Sequence, residues 1–253
     1  MARATVIAVT VALLWTAGAA AAEKPKKAVP APPPPAAAPV VAAPPPANSA
    51  DMVDGTAYKY DEAAARDLNR VCAACHGEFG EGGGGGVYPR LAGLNKDYLA
   101  EQVRKFKSRE RENIPMIPFA NERELPERDV RDITTYLSGI TLTTKPPRED
   151  EPMDAHARLM KMKQVIQIPR EPGDILVGKK LYDADCAECH GKQGQGRVKK
   201  PPLALQHMKY LRAQIELFFT GRRNHEDFDE LMKGKTAEDW KNIYAHISLM
   251  GRD

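Results

Sequence analysis

The chain spells Cys-x-x-Cys-His twice, as Cys72-Ala-Ala-Cys75-His76 and Cys186-Ala-Glu-Cys189-His190, and the two motifs use all four of its cysteines. Two thiols three residues apart share one helical turn, where both can bond the vinyl arms of a porphyrin. The histidine that follows then falls beneath the iron as an axial ligand. The spelling reads as covalent attachment of two haem c groups through Cys72, Cys75, Cys186 and Cys189, with His76 and His190 on the irons. Three other chemistries use the same letters. One zinc ion shared by both Cys pairs leaves the trailing histidines without a role. A thioredoxin-like pair belongs in a βαβ setting, which this chain does not show. Two disulfides suit an exported chain, but they do not explain a histidine after each pair.

The surroundings of the motifs repeat as well. Pro89, Leu91, Ala92, Tyr98, Leu99, Gln102 and Phe106 recur as Pro201, Leu203, Ala204, Tyr210, Leu211, Gln214 and Phe218, all at a constant offset of 112. Each copy predicts three helices around a haem. The first leads into the motif, over 61–71 in one copy and 174–185 in the other. The second carries Leu99, Val103 and Phe106, matched by Leu211, Ile215 and Phe218; the third carries Val130, Ile133 and Leu137, matched by Trp240, Ile243 and Ile247. Both sets have helical spacing with one apolar face. Pro126 fits the first turn of a helix, and Thr236-Ala-Glu-Asp239 resembles a capping box with Asp in place of Glu. Units of this size are small for an unaided core, so a buried porphyrin must supply apolar mass, and the chain without haem is expected to fold poorly.

What a haem does depends on its other axial ligand. In the first copy, Asn113-Ile-Pro115-Met116-Ile-Pro118 sets one methionine on a stiff loop, forty residues past His76. A thioether on iron favours the reduced state and raises the potential, so Met116 is the expected ligand. The second copy has Phe228 at the matching place, and two residues are missing before the last helix resumes. His225, three residues before that place, is the first choice for the second iron, and Met232 is the alternative. Phe228, Leu231 and Met232 also read as the inner face of a short helix. His156, His207 and His246 are weaker candidates. A His/His pair would place the second potential below the first.

The chain divides into 1–22, 23–54, 55–143, 144–173 and 174–253. Residues 1–22 hold one basic residue, Arg3, an apolar run and an Ala-rich end, the pattern of an export signal cut after Ala22. An uncleaved anchor is the alternative, because the run is about as long as the shortest spanning helices, roughly 17–20 residues. Residues 23–54 are a Pro- and Ala-rich spacer that cannot pack a core. Residues 144–173 form an inter-domain linker with loop signals at both ends and room for a short helix or an extended run between. Thirty-seven Lys and Arg against 34 Asp and Glu, scattered along the chain, give a formal charge of +3, without the basic footprint of a nucleic-acid-binding protein.

Cys-x-x-Cys-His-Gly, then Pro-x-Leu-Ala-Gly at 89–93, Tyr-Leu-x-x-Gln at 98–102 and Met-Ile-Pro-Phe-Ala at 116–120 resemble class I cytochrome c of the c4/c553 type. The two copies together resemble a dihaem cytochrome c4. The resemblance covers about residues 55–253 apart from the linker; the second copy departs from it at the methionine loop and at Leu205, where glycine is expected. It implies an all-α fold of two tandem class I cytochrome c domains, each wrapped around one covalent haem. It also implies a periplasmic carrier of single electrons, not an enzyme. Its partners would be redox proteins (an oxidase, a reductase or a dehydrogenase) met by transient contact, with a membrane tether through the N-terminus if the leader stays. Two other functions fit the same letters. One is a cytochrome subunit of a larger dehydrogenase complex; the other is an enzyme acting on a small substrate at the second haem.

Overall fold

The computed structural model describes residues 52–53, 55–197 and 199–252. The expected export signal at 1–22 and, apart from residues 52 and 53, the expected spacer at 23–54 lie outside the described residues. An antiparallel hairpin of β1 (Met52–Val53) and β2 (Thr56–Ala57) opens the described chain, and the rest of its regular structure is helical. The helices are α1 (Glu62–His76), α2 (Lys96–Lys107), α3 (Glu127–Gly139), α4 (Ala155–Lys163), α5 (Ile175–Asp185), α6 (Ala187–His190), α7 (Met208–Phe219), α8 (Phe228–Met232) and α9 (Ala237–Ile247), with a 3-10 turn at Ile114–Met116. None of the described helices is long and apolar enough to cross a membrane.

Local chemistry sets the helix starts. Asp61 caps α1 by accepting from the Ala64 amide at 3.0 Å, and Asp174 caps α5 through the Leu176 and Val177 amides. Thr236 and Asp239 form the expected reciprocal capping box on α9. Each satisfies amides that a helix start leaves without a partner. Pro126 stands one residue earlier than expected, as the N-cap of α3 rather than inside its first turn; there its missing N–H matters as little.

The apolar stripes close two separate cores. Ala65, Phe79, Leu94, Leu99, Ile133, Tyr136 and Leu137 are buried where α1 and α2 meet α3. Tyr182, Met208, Ile243, Tyr244 and Ile247 are buried in the second core, where α5 crosses α9. That crossing is close: a Cβ on Gly178 would overlap the Asn242 carbonyl. The copies differ at the motif itself. α1 runs unbroken through Cys72 to His76, whereas the second copy breaks at Cys186 (φ −115°, ψ −32°) into α5 and α6. Neither proline nor glycine marks that break in the sequence.

Residues 144–173 do not run straight from one domain to the other. They fold α4, capped by Asp154 through the Ala157 amide at 2.7 Å, and lay Met160 against the first core. The chain then returns to Thr143, whose carbonyl accepts from the Ile166 amide at 2.8 Å. Ile166 and Ile168 enter the second core.

Two polar contacts join the domains. In one, Arg90, 8% exposed, donates to the Leu205 and Ala204 carbonyls at 3.1 Å each, and Gln206 brackets the Arg90 backbone from both sides. Leu205 supports this with a left-handed backbone (φ 55°), the conformation Gly93 holds in the first copy (φ 68°). His207 adds a bond from Nε2 to the Glu81 carbonyl at 2.8 Å. In the other contact, Arg111 donates to Gln102 of its own domain and to Tyr210 and Gln214 of the other, at 2.9 Å each. Arg223 mirrors it, donating to Gln214 of its own domain at 2.6 Å and to Tyr98 and Gln102 of the other at 3.3 and 3.2 Å.

Candidate haem-binding sites

Each Cys-x-x-Cys-His motif ends at a glycine with positive φ, Gly77 at 83° and Gly191 at 81°. Only glycine turns the chain there without strain, and a Cβ would also collide with Glu81 in one copy and Gln195 in the other. The loops then fold back in the same way. The His76 carbonyl accepts from Gly82 N and the His190 carbonyl from Gly196 N, both at 2.7 Å. Gly80 O takes the Leu91 and Ala92 amides, and Gly194 O takes those of Leu203 and Ala204.

This return brings a proline carbonyl to each imidazole. His76 Nδ1 lies 3.0 Å from Pro89 O, and His190 Nδ1 lies 2.7 Å from Pro201 O. A carbonyl only accepts, so Nδ1 carries the proton and donates, and Nε2 keeps its lone pair for a metal. Burial lowers the pKa of both imidazoles, so at neutral pH they are uncharged, as a metal ligand must be.

All four cysteines are free thiols. Burial pushes the Cys72 and Cys186 thiols up to about 11. A thioether carries no charge and is at ease in an apolar wall. Among the described residues no three metal-ligating side chains converge, so the Cys pairs do not form one shared tetrahedron. Free thiols beside an oriented neutral imidazole, twice over, fit covalent haem.

The loop around Met116, the expected second ligand of the first iron, is mostly turned outwards: Ile114 is 82% exposed, and Ile117 and Phe119 are exposed too. From 113 to 120 only Met116, half-buried, and Ala120, buried, face inwards. In the second domain the rings of His190 and His225 lie 6.2 Å apart, centre to centre, with planes 29° apart. At an ordinary metal–nitrogen distance of about 2.0 Å, a metal lies about 3 Å from a ligating imidazole's centre. Two such rings on opposite sides of one iron are therefore about 6 Å apart. His225 Nδ1 donates to the Glu226 carbonyl at 2.6 Å, which leaves its Nε2 available, and burial lowers its pKa. Phe218 and Phe228 hold the ring edgewise at 5.1 and 5.8 Å, and a Lys200–Glu226 ion pair pins its loop. Met232 sits half-buried at the end of α8 and is not part of the second core. His156 is exposed on α4, His207 bonds the other domain, and His246 packs on Tyr182 at 5.5 Å.

Two helical units, each built around a haem motif, define a covalent-haem protein. A family model for cytochrome c matches residues 60–141 and 175–247, more than half of the chain, and the chain belongs to that family. It is 27% identical over 215 residues to Cytochrome c-552 of Acidithiobacillus ferridurans, covering 81% of this chain and 83% of that one. It is 33% identical over 163 residues to the Thiosulfate dehydrogenase electron acceptor of Thiomonas intermedia, covering 64% and 69%. Reduced recombinant cytochrome c4 from Pseudomonas stutzeri shares the fold, with a TM-score of 0.56 at 21% identity, covering 76% of this chain and all of that one. The protein is a dihaem, cytochrome c4-like electron carrier with two covalently bound haem c groups.

The sequence reading missed the arginine cluster at the domain contact. Its signal was present, since Arg111 and Arg223 stand at the same offset of 112 as the helix residues around them. Pro89 and Pro201 are legible as repeats, but nothing in the sequence assigns their carbonyls the task of orienting the histidines.

Proposed function

We propose that the protein is a periplasmic carrier that takes single electrons from a redox enzyme and passes them on through two irons of unlike potential. His76 and Met116 hold one iron; His190 and His225 hold the other. Haem supplies an iron that gains and loses one electron; these four side chains set how readily it does so. The 6.2 Å pairing of His190 with His225 carries the reading. An iron with protein ligands on both sides has no open position for a small substrate, so the second haem is a relay and not a catalytic centre. The thioether of Met116 favours Fe(II) and the second imidazole does not, so electrons at equilibrium gather on the first haem.

The donor we infer is a thiosulfate dehydrogenase, met by transient contact. The support is the likeness to two proteins named as electron acceptors of that enzyme, 33% and 29% identical to this chain. Residues 1–22 act as the export signal, and the spacer that follows serves as an arm. Thiosulfate with a catalytic amount of thiosulfate dehydrogenase should reduce the oxidised protein, and thiosulfate alone should not. Reduction by thiosulfate alone would make the protein an enzyme. No reduction in either mixture would remove this donor. Met116→Ala should abolish the methionine–iron charge-transfer band and lower the higher midpoint only; an unchanged optical spectrum would exclude Met116 as a ligand.

A further inference from the structure

The peptide that joins Pro89 to Arg90 is held on both sides. Its carbonyl accepts the His76 Nδ1 proton at 3.0 Å, and its N–H donates to Gln206 Oε1 at 2.9 Å. Gln206 Nε2 donates to the Arg90 carbonyl at 3.0 Å, and the His207 amide fixes Gln206 Oε1 from behind at 2.9 Å. Gln206 is 4% exposed and belongs to the second domain, whereas His76 belongs to the first. Two hydrogen bonds through a single peptide thus run from a side chain of one domain to the imidazole of the other domain's haem motif. Hydrogen bonds in such a chain polarise one another: an amide whose N–H donates becomes a better acceptor at its carbonyl.

The second copy cannot make this chain. At the offset of 112, Arg90 becomes Pro202. Proline has no N–H, so the peptide whose carbonyl meets His190 has nothing to donate. Gln206 itself stands where the first copy has Leu94, a residue of the first core. Its neighbours differ in the same direction. Asn95 caps α2 through the Asp97 and Tyr98 amides. His207, at the matching place, caps nothing with its side chain and reaches the Glu81 carbonyl at 2.8 Å instead. Leu205 holds a left-handed backbone (φ 55°) where the first copy uses Gly93, a conformation that is costly for leucine. Three consecutive residues depart from the first copy, and all three bond the first domain.

We propose that Gln206 is a positioning residue for the first haem: from the second domain it orients and polarises the peptide that anchors His76. The inference rests on the reading of His76 as an iron ligand. A firmer hold on the Nδ1 proton makes the imidazole a more basic ligand, and a more basic ligand favours Fe(III). Gln206 therefore keeps the first midpoint below the value it would have without this bond, and it leaves the second midpoint alone.

The test uses the full, matured protein. Gln206→Leu puts the first copy's residue at this place and removes both bonds to Arg90. It is expected to raise the first midpoint in a redox titration and to leave the second where it was. It should also move the His76 ring N–H resonance upfield in the proton spectrum of the reduced protein. Gln206→Glu gives the Arg90 amide a carboxylate, a stronger acceptor, and is expected to move that resonance downfield. His207→Asn is the control. It cuts the bond to Glu81, gives α7 the cap that Asn95 gives α2, and spares the peptide, so the first midpoint should stay. An unmoved first midpoint and resonance in Gln206→Leu, with two haems bound and parent-like thermal unfolding, would overturn the proposal. So would an equal rise at both irons, or a rise in His207→Asn as large as that in Gln206→Leu, since either would assign the effect to a loosened domain contact. Should Gln206→Leu not fold, a His76 resonance that fails to move downfield in Gln206→Glu would overturn it alone. A parent protein whose His76 ring shows no ring-current shift from a haem would sink the haem reading itself, a different failure from any of these.

Discussion

His225→Ala is expected to leave the first haem as it was and to convert the second from low-spin to high-spin iron. Among the described residues, His225 supplies the imidazole whose ring lies 6.2 Å from that of His190. Met232, the alternative, stands half-buried at the end of α8. The opened iron should then bind carbon monoxide and react with peroxide, which the parent should not do. His225→Met is the sharper variant. It exchanges an imidazole for a thioether and should raise the second midpoint towards the first, by on the order of 0.1 V or more within the roughly 0.8 V that axial ligands span. Thermal unfolding should change little, since the ring is held by Phe218 and Phe228 rather than holding the core. Optical titration of the two haems checks all of this. A second haem that keeps its spectrum in His225→Ala would pass the ligand role to Met232.

The second large effect is expected from Cys72→Ser combined with Cys75→Ser. Without the thioethers the first haem is not retained during maturation, and the matured chain should carry one haem. The first domain should then lose its helices, because a unit this small buries too little surface without the porphyrin. The 15, 12 and 13 residues of α1, α2 and α3 would leave the helical circular dichroism signal. The second domain should keep its haem and its spectrum, for its core of Tyr182, Ile243, Tyr244 and Ile247 shares no helix with the first. It would lose the Arg90 bonds to Leu205 and Ala204 and unfold at a lower temperature. A variant with full helix content and no first haem would contradict the view that the cofactor completes the core.

The parts of this molecule that repeat were legible in the sequence, and the parts that differ were harder. Constant spacing gave the helices around Leu99 and Leu211 because an apolar stripe of period 3.6 has one stable use. The capping box at Thr236 was legible because it is a four-residue chemistry with no distant partner. The break at Cys186 was not, since neither proline nor glycine stands there. His225 is favoured over Met232 in the sequence because Phe228, Leu231 and Met232 read as the inner face of a short helix. What separates them in space is the left-handed turn at Asp227 (φ 56°), a conformation that few residues other than glycine adopt and that sequence does not announce. The arginine cluster escaped for a different reason. Each half reads as an ordinary polar helix face, and only the apposition of the two domains makes it a buried pair of charges.

Low-temperature electron paramagnetic resonance of the fully oxidised protein tests the central claim most directly, that both irons are closed by protein ligands and closed differently. Two low-spin ferric signals of equal weight are expected, one with the character of a His/Met pair and one of a His/His pair. A high-spin ferric signal from the second haem, or two indistinguishable His/Met signals, would contradict it.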